Sequence, residues 1–397
     1  MEGTIKSYNG GEKMRVLRIA HSSLTPALRQ RERALVRCYP DVDLEVLTSE
    51  RWREAEVEVK ATPDDFFRVR TARTYLSKHI QLFAYDPRPI IKALREHRPH
   101  LIDLSHEPYS VACAETLTLC NWFAPQAPVV MHTNQNILHN YPPPFNWFEQ
   151  RTFKRIAAAY ACSEGVREVL VAKGFDKPAP IIPYGVNTEA FHPRAAGEDP
   201  DRELTIGFVG RMLPGKGLNV LADALAKLRA EPWRVLLVGD GSECEDFKRR
   251  LAAHGLLDRA QFTGAISYDL VTDYFQQMDV MVLPTQTTKR IREQFGRVLV
   301  EAMASGVPVI GSTCGAIPDV IRDAGLVFTE GDADALAGAL RRTLLDEGLR
   351  ERMTQAGLAR VKQYSWERIA EKTYELYQQV MRTDKKAVLN RNLELAA

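Results

Sequence analysis

Gly207-Phe-Val-Gly-Arg-Met-Leu-Pro-Gly-Lys-Gly217 decides how the chain is organised. An apolar, β-rich run, Thr205–Val209, leads into it, and a helical pattern follows. A glycine-rich turn between a strand and a helix punctuates a βαβ unit. Working downstream, candidate strands recur at Arg234–Val238, Gln261–Thr263, Val280–Leu283, Val307–Gly311 and Leu326–Phe328, with helical patterns between them. Upstream, Asn187–Glu203 is rich in Pro, Gly and charge, has no apolar period and reads as a linker. Before the linker the same alternation runs once already. Strands are expected at Arg15–Ala20, Leu44–Thr48, Leu101–Ser105, Val129–His132, Ala158–Ala161 and Ile181–Pro183. Helices are expected at Ala27–Cys38, Arg88–His97, Ser110–Phe123, Phe145–Ile156 and Glu164–Lys173. Strand–helix alternation predicts doubly wound parallel sheets, whose ligands bind at the carboxyl ends of the strands. Two such halves predict an α/β chain with a site in the cleft between them.

The tail refines the division. Ala333–Leu345 and Leu349–Gln363 read as helices, and Ser365 is a good N-cap for a helix from Trp366 to about Arg382. Its stripe of Ile369, Tyr374, Leu376, Tyr377 and Val380 needs a partner surface. The expected domains are therefore 1–186, completed by a C-terminal helix within 365–397, and 187–364.

Composition bounds the function. Of 397 residues, 45% are hydrophobic and 26% charged, which are globular proportions. Lys+Arg is 53 against Asp+Glu 51, a net charge of +2, so a dedicated nucleic-acid binder is not expected. An anionic ligand must be held by a local cluster. The six cysteines have neither C-x-x-C nor zinc spacing, as expected of reduced thiols in a cytoplasmic protein. No apolar run reaches the roughly 18 residues of a membrane span, and Met1–Lys13 reads as a polar leader.

Two segments carry chemistry. In the first, Gly210 and Arg211 end the strand and Lys216 opens the helix. Two cations and a glycine-rich turn at a helix N-terminus suit a diphosphate. A tight turn with two solvated cations fits the same pattern. The second is Glu293-Gln-Phe-Gly-Arg-Val-Leu-Val-Glu301, continuing to a helix end at Gly306. Gly296 lets backbone approach a ligand, and the helix from near Arg297 aims its unpaired N–H groups outward. Glu293 and Glu301 are carboxylates that accept hydrogen bonds from the diols of a sugar and a ribose. The alternative is a solvated carboxylate pair.

Taken in order, Gly210-Arg211, Lys216-Gly217, Gly239-Asp-Gly241, Phe262-Thr-Gly264 and Glu293…Glu301 with Ala-Met-Ala-Ser-Gly-Val-Pro-Val resemble a retaining glycosyltransferase of family 4. The resemblance covers most of 204–380 and, less closely, 100–186. It implies the GT-B fold: two facing Rossmann-like domains, a deep interdomain cleft and a C-terminal helix crossing back to the first domain. It implies that Arg211 and Lys216 bind the diphosphate and that Glu301 binds the ribose. Glu293, with the backbone of Gln294, Phe295 and Gly296, would bind the donor sugar, and Ile266 would pack on the base. His132 resembles the histidine that touches the donor sugar, so His132, Arg211, Lys216 and Glu293 form the expected catalytic set. Ser22, Ser23, His106, Thr133 and Asn134 are the acceptor-side candidates.

The chain also departs from that pattern. The family usually has Gly-Gly after its first strand, whereas here the turn is His21-Ser22-Ser23-Leu24-Thr25-Pro26. Before Glu293, the loop Thr287–Arg292 adds Lys289, Arg290 and Arg292, which either meet an anionic acceptor or are solvated. Residues 68–98 hold eight cations against Asp86 and Glu96, a local +6 interleaved with aromatics. That stretch is either a solvated face or a surface for peripheral contact with the anionic inner face of a membrane.

The resulting expectation is transfer of a hexose-type sugar from a UDP- or GDP-linked donor, with retention, by front-face attack. The acceptor would be a glycan, a lipid-linked molecule or a small molecule, as in polysaccharide biosynthesis. No metal and no cofactor beyond the nucleotide-sugar co-substrate are expected. The rival readings are a nucleotide-sugar epimerase of the same fold and a non-catalytic nucleotide-sugar-binding subunit.

Overall fold

A computed structural model describes residues 12–54, 57–194 and 203–396. Most of the expected leader and the middle of the expected linker lie outside them. The chain divides into two units, Met1–Pro183 with Trp366–Ala397, and Tyr184–Ser365. The expected boundaries were 186 and 365.

In the first unit, strands β1 (Met14–Ala20) and β2 (Val42–Ser49) flank helix α1 (Gln30–Cys38). A hairpin of β3 (Arg51–Glu54) and β4 (Val57–Lys60) follows, then β5 (Arg68–Ala72) and the short ladder of β6 (Thr74–Tyr75) with β7 (Ala84–Tyr85). Next come α2 (Pro87–His97), β8 (Leu101–Ser105), α3 (Val111–Phe123), β9 (Val129–Thr133), α4 (Phe145–Arg155), β10 (Ala158–Ala161) and α5 (Glu164–Ala172). The sheet is parallel, in the order β10-β9-β8-β1-β2-β5.

The second unit repeats the plan with β11 (Leu204–Val209), α6 (Leu218–Lys227), β12 (Trp233–Val238), α7 (Cys244–Ala253), β13 (Ala260–Phe262), α8 (Val271–Phe275) and β14 (Val280–Leu283). It continues with α9 (Arg297–Ala304), β15 (Val309–Ser312), α10 (Ile317–Ile321), β16 (Gly325–Phe328), α11 (Ala333–Leu345) and α12 (Glu347–Val361). Its parallel sheet runs β13-β12-β11-β14-β15-β16. Ranked by position in the chain, both sheets have the Rossmann strand order, in which the winding reverses beside the first strand. The reversal lies between β1 and β8 in one unit and between β11 and β14 in the other. A ligand is expected at the carboxyl ends of those pairs.

The last helix, α13 (Trp366–Ala396), belongs to the first unit. Ile369, Leu376, Tyr377 and Val380 of its stripe are buried in a core shared with β1, α1 and β2. Tyr374 stacks on Tyr39 of the first unit with ring centroids 3.9 Å apart and donates to Asp41 at 2.5 Å. Tyr377 donates to Asp103 on β8 at 2.5 Å.

Asp103 is the hub of the unit. Its carboxylate also receives Arg18 from β1 at 2.9 Å, Arg31 from α1 at 2.5 Å and Tyr160 from β10 at 3.0 Å. Glu32 pairs with Arg18, so one buried and one partly buried guanidinium group face two buried carboxylates. Burial alone would raise the Asp103 pKa, but Arg18 and Arg31, with the two tyrosine hydroxyls, hold it down at about 2.

Several sequence expectations need correction. Ile181–Pro183 makes only an isolated bridge at Ile181, because prolines 180 and 183 withdraw the N–H groups a ladder needs. Ala27–Cys38 opens as a 3-10 turn, Pro26–Arg29, before α1. Arg29 turns inward there to donate to the carbonyls of Ser23, Leu24 and Thr62. Val307–Gly311 begins pairing only at Val309, after Pro308. The helix expected over Leu349–Gln363 starts at Glu347, where the Asp346 side chain accepts from Leu349 N–H, and ends in a 3-10 turn at Lys362–Tyr364.

The basic stretch 68–98 is not one solvated face, since its first residues form the edge strand β5. Arg70 pairs with buried Glu45 on β2 at 2.6 Å and with Glu96 on α2 at 2.9 Å. Arg88 pairs with Asp86, which caps α2.

Removing one member of a buried ion cluster strands the others. Asp103→Ala should therefore lower unfolding stability by about 3–5 kcal/mol, and Tyr377→Phe by about 1.5–3 kcal/mol, as read from urea unfolding. Wild-type stability in Tyr377→Phe would show that α13 is not anchored through Asp103.

Candidate active site

In the second unit the loops after β11, β12 and β13 lie side by side at the carboxyl edge. Gly210 N–H donates to Val238, Met212 N–H to Asp240 and Gly239 N–H to Gly264. The glycine motifs that are separate in sequence thus line one floor. Arg211 is exposed on it, and Ile266 is half-buried just past Gly264.

Helix α6 starts at Gly217, whose φ is +75°. A Cβ there would lie 1.8 Å from the Pro284 carbonyl oxygen, so only glycine lets the start of α6 close on the end of β14. That contact sets Lys216 beside the loop after β14. Lys216 Nζ meets Glu293 Oε2 at 2.8 Å, and Thr285 donates to the same oxygen at 3.3 Å. The two sequence-predicted site segments, 207–217 and 293–301, therefore join through an ion pair.

The Glu293 backbone is clamped from the other side. Its carbonyl accepts from Ala316 N–H at 3.0 Å, and a Cβ on Gly315 would approach that oxygen to 2.1 Å. Gln294 is exposed, whereas Phe295 is buried edge-on against Tyr184 and Tyr364. Gly296, at φ +80°, caps α9. Glu301 is buried one turn into α9 and accepts from the Tyr268 hydroxyl at 2.8 Å and Arg297 Nε at 3.1 Å. Burial pushes its pKa up, against the pull of Arg297 and Tyr268. Tyr268 was missed from sequence because nothing local marks it. Of the added loop cations, Lys289 and Arg290 are exposed around a tight turn closed by the Thr288 hydroxyl.

In the first unit, His132 is the penultimate residue of β9. Its Nδ1 lies 3.2 Å from the Ser105 hydroxyl, and its ring stacks on Tyr160 at 5.0 Å. Burial, reinforced by the nearby positive charges of Arg31 and Arg18, lowers its pKa to about 3. The imidazole is neutral at physiological pH. It suits a hydrogen bond to an uncharged hydroxyl, not proton donation as an imidazolium.

Two of the acceptor-side candidates, Thr133 and Asn134, meet at a residue outside the expected set, Glu107. Thr133 Oγ1 donates to Glu107 Oε2 at 2.6 Å and Asn134 N–H to Oε1 at 3.0 Å. Ser22 is exposed, but Ser23 is buried, and its carbonyl is taken by Arg29.

The turn that replaces Gly-Gly carries its own cluster at the reversal between β1 and β8. His21 stacks on buried His106 at 5.7 Å, with Trp52 at 4.4 Å and Phe83 at 5.0 Å. His106 Nε2 lies 3.4 Å from the Tyr85 hydroxyl, while the Nδ1 atoms of His21 and His106 have no hydrogen-bond partner. Desolvation lowers the His21 pKa to about 4 and that of His106 well below the usual range. Sequence reasoning missed His21 and Trp52 as site residues because the cluster is assembled from segments far apart in the chain.

Groups held below their unfolded pKa stabilise the fold above that value and cease to do so as pH falls through the folded one. The unfolded chain takes up protons at these histidines below about pH 6.5, while folded His21 resists to about 4 and His132 to about 3. Melting temperature should therefore fall steadily with acidification from about pH 6.5 to about pH 4. His132→Asn should flatten the slope, and a wild-type Tm constant over that range would contradict burial of neutral imidazoles.

Comparison with known proteins gives a consistent picture. The family model described as Glycosyl transferases group 1 matches residues 192–360, and that described as Glycosyltransferase Family 4 matches residues 33–190. The chain is 36% identical over 206 residues to the phosphatidyl-myo-inositol mannosyltransferase of Mycobacterium leprae (strain TN), covering 50% of this chain and 53% of that protein. It is 31% identical over 196 residues to the sulfoquinovosyl transferase SQD2 of Arabidopsis thaliana, covering 46% and 36%. These alignments span about half or less of either relative's length. Among solved structures, a glycosyltransferase from Rickettsia africae ESF-5 superposes with TM-score 0.72 at 16% identity, covering 94% of this chain and 99% of that one. Anabaena Alr3699/HepE, solved in complex with UDP, superposes with TM-score 0.71 at 17% identity, covering 92% and 100%. At these identities the likeness concerns the fold.

Proposed function

Since the chain belongs to glycosyltransferase family 4 and has the GT-B fold, we propose that it is a retaining hexosyltransferase that works without a metal ion. Its donor is a UDP- or GDP-linked hexose, and its acceptor is a hydroxyl of a glycan, a lipid-linked molecule or a small molecule. The observation that carries this reading is the Lys216–Glu293 pair at 2.8 Å, set between the glycine floor and the N-terminus of α9. A diphosphate beside Gly210 and Arg211 gives Lys216 a stronger partner, and Glu293 then turns its carboxylate to the sugar hydroxyls. Glu301, with Tyr268 beside it, receives the ribose, and Ile266 packs on the base. His132 supplies a neutral hydrogen bond to the donor sugar.

As the glycosidic bond breaks, its electron pair moves to the diphosphate oxygen. Arg211, Lys216 and the N–H groups that open α9 stabilise that charge, so no divalent ion is required. The acceptor hydroxyl attacks from the same face, and its proton passes to the leaving diphosphate. The anomeric configuration is kept. A neutral His132 agrees with this scheme, which needs no imidazolium.

Two measurements test the proposal. A thermal-shift screen against UDP, GDP and ADP and their sugars should single out one base, with about 2.7 kcal/mol of stabilisation at a hundredfold excess over Kd. With that donor, Lys216→Ala should lower kcat on the order of a hundredfold or more, with a smaller change in KM. Unchanged turnover would remove Lys216 from the transition state. Donor incubated alone should survive without isomerised sugar; an epimer in the products would replace transfer by epimerisation.

A further inference from the structure

Strand β5 delivers the chain to the carboxyl edge of the first unit's sheet, where residues 73–85 form an arch. Its base is the β6–β7 ladder, Thr74 opposite Tyr85 and Tyr75 opposite Ala84. Phe83 and Tyr85 are buried and anchor it in the cluster around His21 and His106. Hydrogen bonds from His79 N–H to Leu76, Phe83 N–H to His79 and Val111 N–H to Gln81 hold the tip in shape.

The tip is the reverse of its base. Leu76 is 66% exposed, Tyr75 47%, Ile80 41% and Leu82 41%. Single exposed apolar residues need no explanation, but four within one short arch do. Leu76 also holds φ at +54°, a region that bulky side chains rarely occupy. Within the arch the charge has one sign, since no Asp or Glu occurs from Phe66 to Tyr85, and the carboxylates beside it, Asp86 and Glu115, lie at its base. Arg68 and Arg70 face Glu45 and Glu96, whereas Arg73 lies against the Tyr75 ring at 5.6 Å and Lys78 is exposed on the tip itself.

An apolar tip within a basic collar complements an anionic lipid surface. The leucines and isoleucine leave water at the acyl boundary, and the cations meet lipid phosphates. Tyrosine suits that interface because one end of its ring system is polar. Among the described residues no helix is long and apolar enough to cross a membrane. We propose that the arch of residues 73–85 docks the first unit on an anionic bilayer. Docking would bring the carboxyl edge of that unit's sheet, with His21 and His106, against the lipid surface. The inference does not depend on the transferase reading.

The test is co-sedimentation of the full chain with phosphatidylcholine vesicles containing about 30% phosphatidylserine, beside phosphatidylcholine alone. Binding is expected only with phosphatidylserine and should fade with salt. Leu76→Asn with Ile80→Ser should weaken it roughly tenfold or more, and Arg73→Glu with Lys78→Glu by a similar factor. Asparagine tolerates the positive φ at position 76, and the charge-reversed residues are exposed, so an unchanged Tm verifies that both variants fold. Failure of the wild type to bind, equal binding to neutral vesicles, or wild-type binding by folded forms of both variants would overturn the proposal.

Discussion

The first unit depends on one buried carboxylate. Asp103 receives Arg18, Arg31, Tyr160 and Tyr377, which come from β1, α1, β10 and α13. No one of these groups tolerates burial alone, because an unpaired charge in an apolar interior costs several kcal/mol. Together they balance, two positive against two negative with Glu32 included. The cluster therefore requires the C-terminal helix to return to the first unit, since the Tyr377 hydroxyl is one of its donors. It also sets the chemistry at the edge of the sheet. The same guanidinium groups that hold Asp103 ionised help to keep His132 neutral.

The second unit rests on close backbone approach instead of charge. Glycine at 217 lets α6 meet the end of β14, and glycine at 315 lets the turn before α10 clamp the Glu293 carbonyl. These contacts bring a lysine and a glutamate, 77 residues apart in sequence, to an ion pair beside the glycine loops that follow β11, β12 and β13. Glycine, lysine and carboxylate each have a bland reading alone. Their convergence at the point where the sheet reverses its winding gives the site its meaning.

Much of this was legible in the sequence. Apolar runs such as Leu101–Ser105, Ala158–Ala161 and Val280–Leu283 coincide with strands, because a parallel strand covered on both faces is apolar throughout. β5 escaped notice because its arginines neutralise Glu45 and Glu96 across other elements, which no local pattern reveals. Asp103 left a signal that was passed over, a carboxylate inside the otherwise apolar run Leu-Ile-Asp-Leu. The two segments proposed to hold a diphosphate and sugar were visible because their glycines and charges lie close together in the chain. The His21 cluster was not, because Trp52, Phe83 and His106 come to it from three separate segments of the chain.

If Arg211 and Lys216 clamp the diphosphate without a metal ion, nucleotide binding must survive removal of divalent ions. Isothermal titration with UDP and GDP in the presence of EDTA reads this out. One of the two nucleotides should bind with EDTA present, and Arg211→Ala and Lys216→Ala should each weaken binding about tenfold or more, as loss of a charge-assisted hydrogen bond implies. Binding that appears only when a divalent ion is added, or that survives both substitutions unchanged, would contradict a metal-free clamp.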